Sequence, residues 1–228
     1  MMTRTARWLT GVAALLLGAA FAFPLWHIRL IAPQYPEGLG LLIHVNTIGG
    51  VRPTDLANIN SLNHYIGMKA IDPNAIPVLH IMPWVLGALV GTGLIVAIVG
   101  RRRLLTTWLA GFLVAALAGL AEFWLWSYDY GHNLDVEHAI IKVPGMTYQP
   151  PLIGAKQLLN FTAVSLPAIG GVLIGVAFLL GAAALVLSVR AARAARGPQQ
   201  RARTAHGAAK RREQTRSVPT KLEPVGSR

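Results

Sequence analysis

Four apolar runs, each long enough to cross a lipid bilayer, constrain this chain more than any other feature of its sequence. They occupy residues 8–26, 78–100, 104–126 and 164–189, and the first has no charged residue. A helix needs about 20 apolar residues to cross a bilayer. Because no water satisfies the backbone inside lipid, open loops and sheet edges are excluded there. The sequence therefore predicts an all-α integral membrane protein with four transmembrane helices.

The composition excludes an ordinary soluble domain. The chain is 54% hydrophobic and only 13% charged, whereas soluble domains are about 25% charged. The first run has an alternative interpretation, a cleaved signal peptide, because basic residues precede it and Ala20-Phe21-Ala22 fits a cleavage site. Against cleavage, the apolar run continues past that site to Pro24 and Trp26, which suit the interfacial end of a span.

The distribution of basic residues predicts the orientation. Residues 1–7, the turn 101–103 and the tail 190–228 hold 16 Lys and Arg, against 5 in the loops 27–77 and 127–163. Positive residues concentrate on the cytoplasmic side of membrane proteins. We therefore expect a multi-pass membrane protein with both termini in the cytoplasm and both loops outside.

The two loops are expected to pack together as an outer cap. The first contains the turn signal YPEGLG and the strand-like LLIHVNTI, so a short β-hairpin is predicted in it. Turn-forming residues and one short helix are expected from 52 to 75, with Thr54 or Asp55 as its cap.

The basic tail, 190–228, accounts for most of the net charge of +12, since it carries 11 of the 21 Lys and Arg. A charge confined to one tail does not indicate a nucleic-acid-binding surface. We expect this segment to be disordered and to contact anionic lipid headgroups.

Histidine and methionine are the candidate metal ligands, because the chain has no cysteine. Imidazole and thioether groups suit copper, and thioethers suit Cu(I) in particular. These residues collect in the loops and at the outer ends of the spans. The candidate ligands are His64, Met68, His80, Met82, His132 and Met146. The alternative is that they are ordinary hydrogen-bonding and packing residues.

Glu122 is the other candidate functional residue, because a carboxylate within a span usually faces a bundle interior or a wet cavity. Asp129 lies seven residues further on, on the same helical face. A proton relay or an ion site would use both, whereas an interfacial glutamate would need neither. No nucleophile triad or phosphate-binding loop occurs, so we expect no enzyme activity.

Four longer strings carry a family resemblance: FPLWHIRLIAPQYPEGLG, NINSLNHYIGMKAI, WSYDYGHNLD and VPGMTYQPPLIGAKQLLNF. Over about residues 23–188 the chain resembles a family of small, functionally unassigned bacterial inner-membrane proteins. They are often encoded near the maturation genes of nitrous oxide reductase, a periplasmic copper enzyme of denitrification. The resemblance implies a periplasmic context, copper, and assembly of another protein.

We therefore expect an accessory protein that supplies copper to a periplasmic copper enzyme or helps to assemble it. Its partner would be a periplasmic or inner-membrane protein. One alternative is a non-catalytic structural subunit or scaffold of a membrane complex. A second is a small transporter component that uses Glu122.

Overall fold

The four predicted spans are helices in the computed structural model, which describes residues 1–143 and 145–216, with 195–216 as helical backbone only. The helices are α1 (Arg4–Ala19, extended by a 3₁₀ turn, Ala20–Ala22), α2 (Asp55–Tyr65), α3 (Pro77–Val99), α4 (Arg102–His132) and α5 (Ile169–Arg216). Within the described residues α1, α3, α4 and α5 are long and apolar enough to cross a membrane, as expected of a multi-pass membrane protein.

Helix α1 is the centre of the bundle, because it packs along both α3 and α5. Its contact residues are small or aliphatic, and Ala6, Ala13 and Leu17 are completely buried. Small residues let helix backbones approach closely, which increases dispersion contacts. Removal of α1 would therefore expose the inner faces of both neighbouring helices.

The start of α1 also caps the C-terminal end of α3. The Arg7 guanidinium donates from Nε to the carbonyl of Ala97 (2.8 Å) and from a terminal nitrogen to that of Ile98 (2.6 Å). The Met2 amide donates to the Gly100 carbonyl at 2.8 Å. A cation at a helix C-terminus satisfies free carbonyls and is favoured by the helix dipole.

A five-stranded antiparallel sheet lies at one end of the bundle. Its strands are β1 (Trp26–Ala32), β2 (Tyr35–Ile43), β3 (Ile48–Gly50), β4 (Gly154–Leu158) and β5 (Phe161–Pro167), in the order β3-β2-β1-β5-β4. The central pair joins the two loops, with Ile28 opposite Ser165. The Trp26 indole Nε1 donates to the Ser165 hydroxyl at 2.8 Å. Residues 26–76 and 133–167 together form one unit, named the cap below.

One face of the sheet forms the core of the cap. Ile28, Leu39 and Leu41 are buried there against Ile59 of α2. The end of α4 completes the core with three aromatic residues, Phe123, Trp126 and Tyr130. Burial of this apolar face explains why the alternate residues of the strands are apolar.

A buried carboxylate fixes the first loop. Asp55 is 1% exposed and accepts hydrogen bonds from the amides of Gly40 (3.0 Å) and Arg52 (3.2 Å) and from Arg52 Nε (2.8 Å). Burial by itself raises the pKa of Asp55. These hydrogen bonds and the Arg52 charge together lower it by a larger amount, so the pKa lies below its ordinary value. The bond to Asp55 is the main cause that raises the pKa of Arg52.

The all-α prediction is wrong for the cap, because a five-stranded antiparallel sheet lies there together with α2. The predicted hairpin in the first loop is confirmed as β1 and β2. The error lay in the second loop, where residues 161–167 are β5 although 164–167 had been assigned to the fourth span. An apolar strand that runs directly into an apolar helix gives one continuous hydrophobic run, so periodicity does not separate them.

Other predicted boundaries also move. Helix α1 begins at Arg4 rather than 8, because the Thr3 hydroxyl caps it by accepting from the Ala6 amide at 3.1 Å. Helix α4 continues to His132 rather than ending at 126. Helix α5 continues to Arg216, through a segment predicted to be disordered. Alanine and arginine favour helix, which explains the continuation. The rest of the predicted tail, 217–228, lies outside the described residues.

Candidate functional site

The two loops of the cap meet at Gly67, beyond the end of α2. The Asp135 amide donates to the Gly67 carbonyl at 2.8 Å, and the Ile141 amide donates to that of Tyr65 at 2.9 Å. Gly67 has a φ of +75°, and a Cβ placed on it would lie 2.5 Å from the Asp135 carbonyl oxygen. Only glycine fits this close, left-handed position. The contact brings the residues that flank Gly67 next to the second loop.

A groove of about 530 Å³ lies at this contact and is named the junction groove. Its side chains include His64 and Met68 from the first loop and Asp135 and His138 from the second. His138 Nδ1 lies 2.8 Å from an Asp135 carboxylate oxygen, and this hydrogen bond is the main cause that lowers the pKa of Asp135. When Nδ1 carries the proton that it donates to Asp135, Nε2 is left with the lone pair that a metal requires.

The structure brings only some of the predicted ligands together. His64 and Met68 share the junction groove, whereas four of the predicted ligands lie outside its lining: His80, Met82, His132 and Met146. His80 Nε2 lies 3.3 Å from the Asn74 carbonyl, and His132 stacks on Tyr128 with ring centroids 3.9 Å apart. Met82 packs in the helical core. The spacing of these residues in the sequence does not show which of them lie apart, because the direction of a side chain depends on how its helix is oriented in the fold.

His138 and Asp135 are not among the ligands predicted from the sequence. The Asp-x-x-His spacing at 135–138 is the signal that indicates them, because it lets the carboxylate reach the ring on one turn. Among the residues that the structure describes, no three His, Asp or Glu side chains are grouped closely enough to hold a metal ion.

Glu122 and Asp129 both line an open pocket of about 520 Å³ beside the first loop, together with Lys69. Lys69 of the first loop donates to Asp129 at 2.8 Å, and Asn133 also donates to it. Glu122 is exposed and makes no hydrogen bond or ion pair with the described part of the chain. Asp129 is therefore a contact between α4 and the cap, and a proton relay or ion site that uses both carboxylates stays a prediction.

An apolar cavity of about 460 Å³, named the cap cavity, lies inside the cap. It is bounded by the core face of the sheet, by α2 and by the end of α4, with Leu41, Ile59 and Phe161 among its lining residues. Tyr148 also lines it, and burial raises the pKa of its phenol. Apolar cavities of this size with a few polar groups are typical of small-ligand sites.

A second apolar cavity of about 360 Å³, named the interhelical cavity, lies where the cap ends of α3, α4 and α5 meet strands β1 to β3. Its lining includes Met82, Gly119 and Gly175. Glu122 and Leu120 also line it and are exposed, so the cavity reaches the surface of the bundle. Trp126 lines both this cavity and the cap cavity.

No protein-family model and no curated protein matches this chain. The fold and the site define a class of architecture, a helical bundle of membrane-crossing length that carries a sheet-based cap. A more particular function has to be inferred from the junction groove and from the two cavities.

Proposed function

We propose that this chain is a multi-pass protein of the bacterial inner membrane whose cap lies in the periplasm. Four helices of sufficient length and apolarity support the membrane placement. The excess of Lys and Arg in the N-terminus, the turn and the tail supports cytoplasmic termini. Tryptophans at the cap ends of the helices, Trp84 and Trp124 among them, suit a membrane interface.

The proposed role is accessory: to hold copper and pass it to a periplasmic copper enzyme during its assembly. The observation that carries this proposal is the junction groove, in which two separate loops contribute His64, Met68 and His138. Nitrogen and thioether donors without a thiolate suit Cu(I). The resemblance to proteins encoded near nitrous oxide reductase maturation genes agrees with this role.

Each residue of the groove has a distinct task in this proposal. Met68 supplies the soft sulfur donor, and His64 and His138 supply imidazole nitrogen. Asp135 orients the His138 ring through its hydrogen bond to Nδ1, as carboxylates beside metal-ligating histidines do. An exposed groove, unlike a buried centre, leaves the metal accessible to a second protein.

Copper binding should depend on His138 and not on His132. Purified protein would compete for Cu(I) with a chromogenic chelator. We expect His138→Ala, and His64→Ala combined with Met68→Ala, to weaken binding by at least about 10- to 100-fold, the loss that follows removal of a metal-orienting partner. His80→Ala and His132→Ala are matched controls outside the groove and should bind as the wild type does.

Two outcomes would contradict copper binding at the groove. One is wild-type protein that takes up no Cu(I) against the chelator, and the other is equal affinity in the groove variants and the controls. Either result, combined with intact folding, would favour the alternative of a non-catalytic structural subunit.

The orientation has its own test. Of two reporter enzymes fused after residue 140, within the second loop, only the one that requires the periplasm should be active, because the arginine asymmetry predicts that loop outside. Alkaline phosphatase reports the periplasmic side of the membrane, and a cytoplasmic reporter fused at the same residue reports the other side. Activity of the cytoplasmic reporter alone would reverse the orientation and remove the periplasmic role.

A further inference from the structure

The cap cavity and the interhelical cavity share Trp126, which lines both. One cavity lies within the cap and the other between helices of membrane-crossing length. The Trp126 indole therefore lies between the two cavities.

The interhelical cavity exists because α4 and α5 pack closely only at the end away from the cap. There Phe112 meets Phe178 edge to face, with centroids 5.4 Å apart, and Leu109 covers Gly181. Toward the cap, Gly175 on α5 carries no side chain to fill the gap, whereas Met82 packs against Gly119 and the Leu25 carbonyl packs against Gly171. A Cβ on Gly175 would meet no atom within 4 Å, so open space lies beside it.

The lining of the cap cavity favours an apolar occupant. Leu41, Ile59, Leu62 and Phe161 contribute to it. An apolar cavity offers water few hydrogen-bond partners, and such cavities bind apolar ligands instead. The volume of about 460 Å³ lies in the range of small-ligand sites.

A buried donor without a partner gives a second, independent indication. Trp126 Nε1 is buried and has no hydrogen-bond partner among the described residues. An unsatisfied buried donor destabilises a protein by about 1–3 kcal/mol. Buried tryptophan nitrogens usually have a partner, so an acceptor supplied by a ligand would remove this cost.

We propose that the cap cavity binds the acyl chain of an outer-leaflet phospholipid, which enters through the interhelical cavity past Trp126. The ester carbonyl of a phospholipid lies at the membrane interface, the level that tryptophan side chains prefer. It is the acceptor for Trp126 Nε1. This inference rests on the membrane placement in the proposed function, and it is independent of copper.

The test is photo-crosslinking of the full chain in nanodiscs of phosphatidylethanolamine and phosphatidylglycerol that contain a phospholipid with a diazirine on its acyl chain. Peptide mapping should place labels on cap-cavity residues such as Leu41 and Phe161, as well as on Ile174 in the interhelical cavity. Labels confined to the bundle surface and absent from the cap would overturn the proposal.

Gly175→Leu separates passage through the interhelical cavity from general lipid contact. The leucine fills this cavity without a backbone clash, so we expect cap labelling to fall by about tenfold, the change produced by ~1.4 kcal/mol. Gly87→Leu is the matched control, because Gly87 is an exposed helical glycine with no atom within 4 Å of a Cβ and it lines neither cavity. Equal cap labelling in both variants would refute the route.

Two further variants examine the remaining parts of the site. Trp126→Phe keeps the ring but removes the donor, and should reduce cap labelling by about 2- to 10-fold. Leu62→Trp fills the cap cavity, and should remove cap labels while Ile174 stays labelled. Unchanged cap labelling in Trp126→Phe would refute the role of the indole nitrogen. Cu(I) affinity should be unchanged in Gly175→Leu, which separates a failure of this inference from a failure of the copper site.

Discussion

Replacing Gly67 with alanine is expected to separate the two loops of the cap and to lower its stability by about 2–4 kcal/mol. A left-handed backbone alone costs a residue with a Cβ about 1–2 kcal/mol. The added carbon would also lie 2.5 Å from the Asp135 carbonyl oxygen, so the second loop has to move. The hydrogen bond from the Asp135 amide to Gly67 would be lost with that movement.

Two measurements check this result. The thermal midpoint in detergent, followed by tryptophan fluorescence, should fall by about 5–10 °C. Hydrogen exchange should accelerate at the amides of Asp135 and Ile141, which donate across the junction. Cu(I) affinity should fall as well, because His138 would no longer face the groove that holds His64 and Met68.

Gly145→Ala is the matched control for Gly67→Ala. Gly145 has nearly the same φ, +73°, but a Cβ there would meet no atom within 4 Å. It should therefore show only the backbone cost of about 1–2 kcal/mol. Equal losses in the two variants would mean that contact with Asp135 contributes nothing and that the junction is not tight.

Replacing Asp55 with alanine is the second large change, and we expect it to destabilise the cap by about 2–3 kcal/mol. The substitution leaves the Gly40 and Arg52 amides without their acceptor. Breaking a fully buried ion pair costs about 3–5 kcal/mol. The expected loss is smaller here, because the Arg52 side chain is 44% exposed and can turn to water.

The control for Asp55→Ala is Glu37→Ala, which removes the other ion pair of Arg52. Both side chains of that pair are exposed, 44% and 56%, and the atoms are 3.4 Å apart. Exposed pairs contribute about 0–1 kcal/mol. The thermal midpoint of the two variants, measured in the same detergent, should therefore differ clearly, and a comparable loss in both would remove the special role of Asp55.

The same carboxylate predicts a pH dependence. Because the pKa of Asp55 is lower in the folded chain than its ordinary value, its contribution to stability is complete above that ordinary value, about 4. The contribution is lost progressively as the pH falls through the folded pKa. The wild type should therefore lose stability on acidification in that range, and Asp55→Ala should lose less.

Much of the architecture could be predicted from the sequence, because the signals are local. A run of apolar residues predicts a helix of membrane-crossing length wherever it occurs, and α3, from Pro77 to Val99, agrees closely with its predicted range, 78–100. A hairpin was likewise predicted in the first loop, and β1 and β2 form it, although its turn lies at residues 33–34 and YPEGLG belongs to β2. Neither inference required knowledge of a distant residue.

The candidate site could be predicted only in part. The i, i+4 spacing of His64 and Met68 predicts a common face only if the segment is helical, and α2 ends at Tyr65 before the left-handed Gly67, so the turn rather than the helix brings Met68 to the groove. His138 joins them through contacts between segments about seventy residues away in the chain, and no local pattern contains that information. The interpretation of Glu122 with Asp129 was incomplete for the same reason, since Lys69, which pairs with Asp129, comes from another loop.

The sequence by itself determined four apolar helices and the arginine asymmetry on which the proposed orientation rests, because hydrophobic length and charge are properties of single segments. Only the tertiary structure decided that β5 pairs with β1, that Gly67 meets Asp135, and that Trp126 separates two cavities. Those contacts depend on burying the faces of distant segments against one another, and that free energy exists only once the chain is folded.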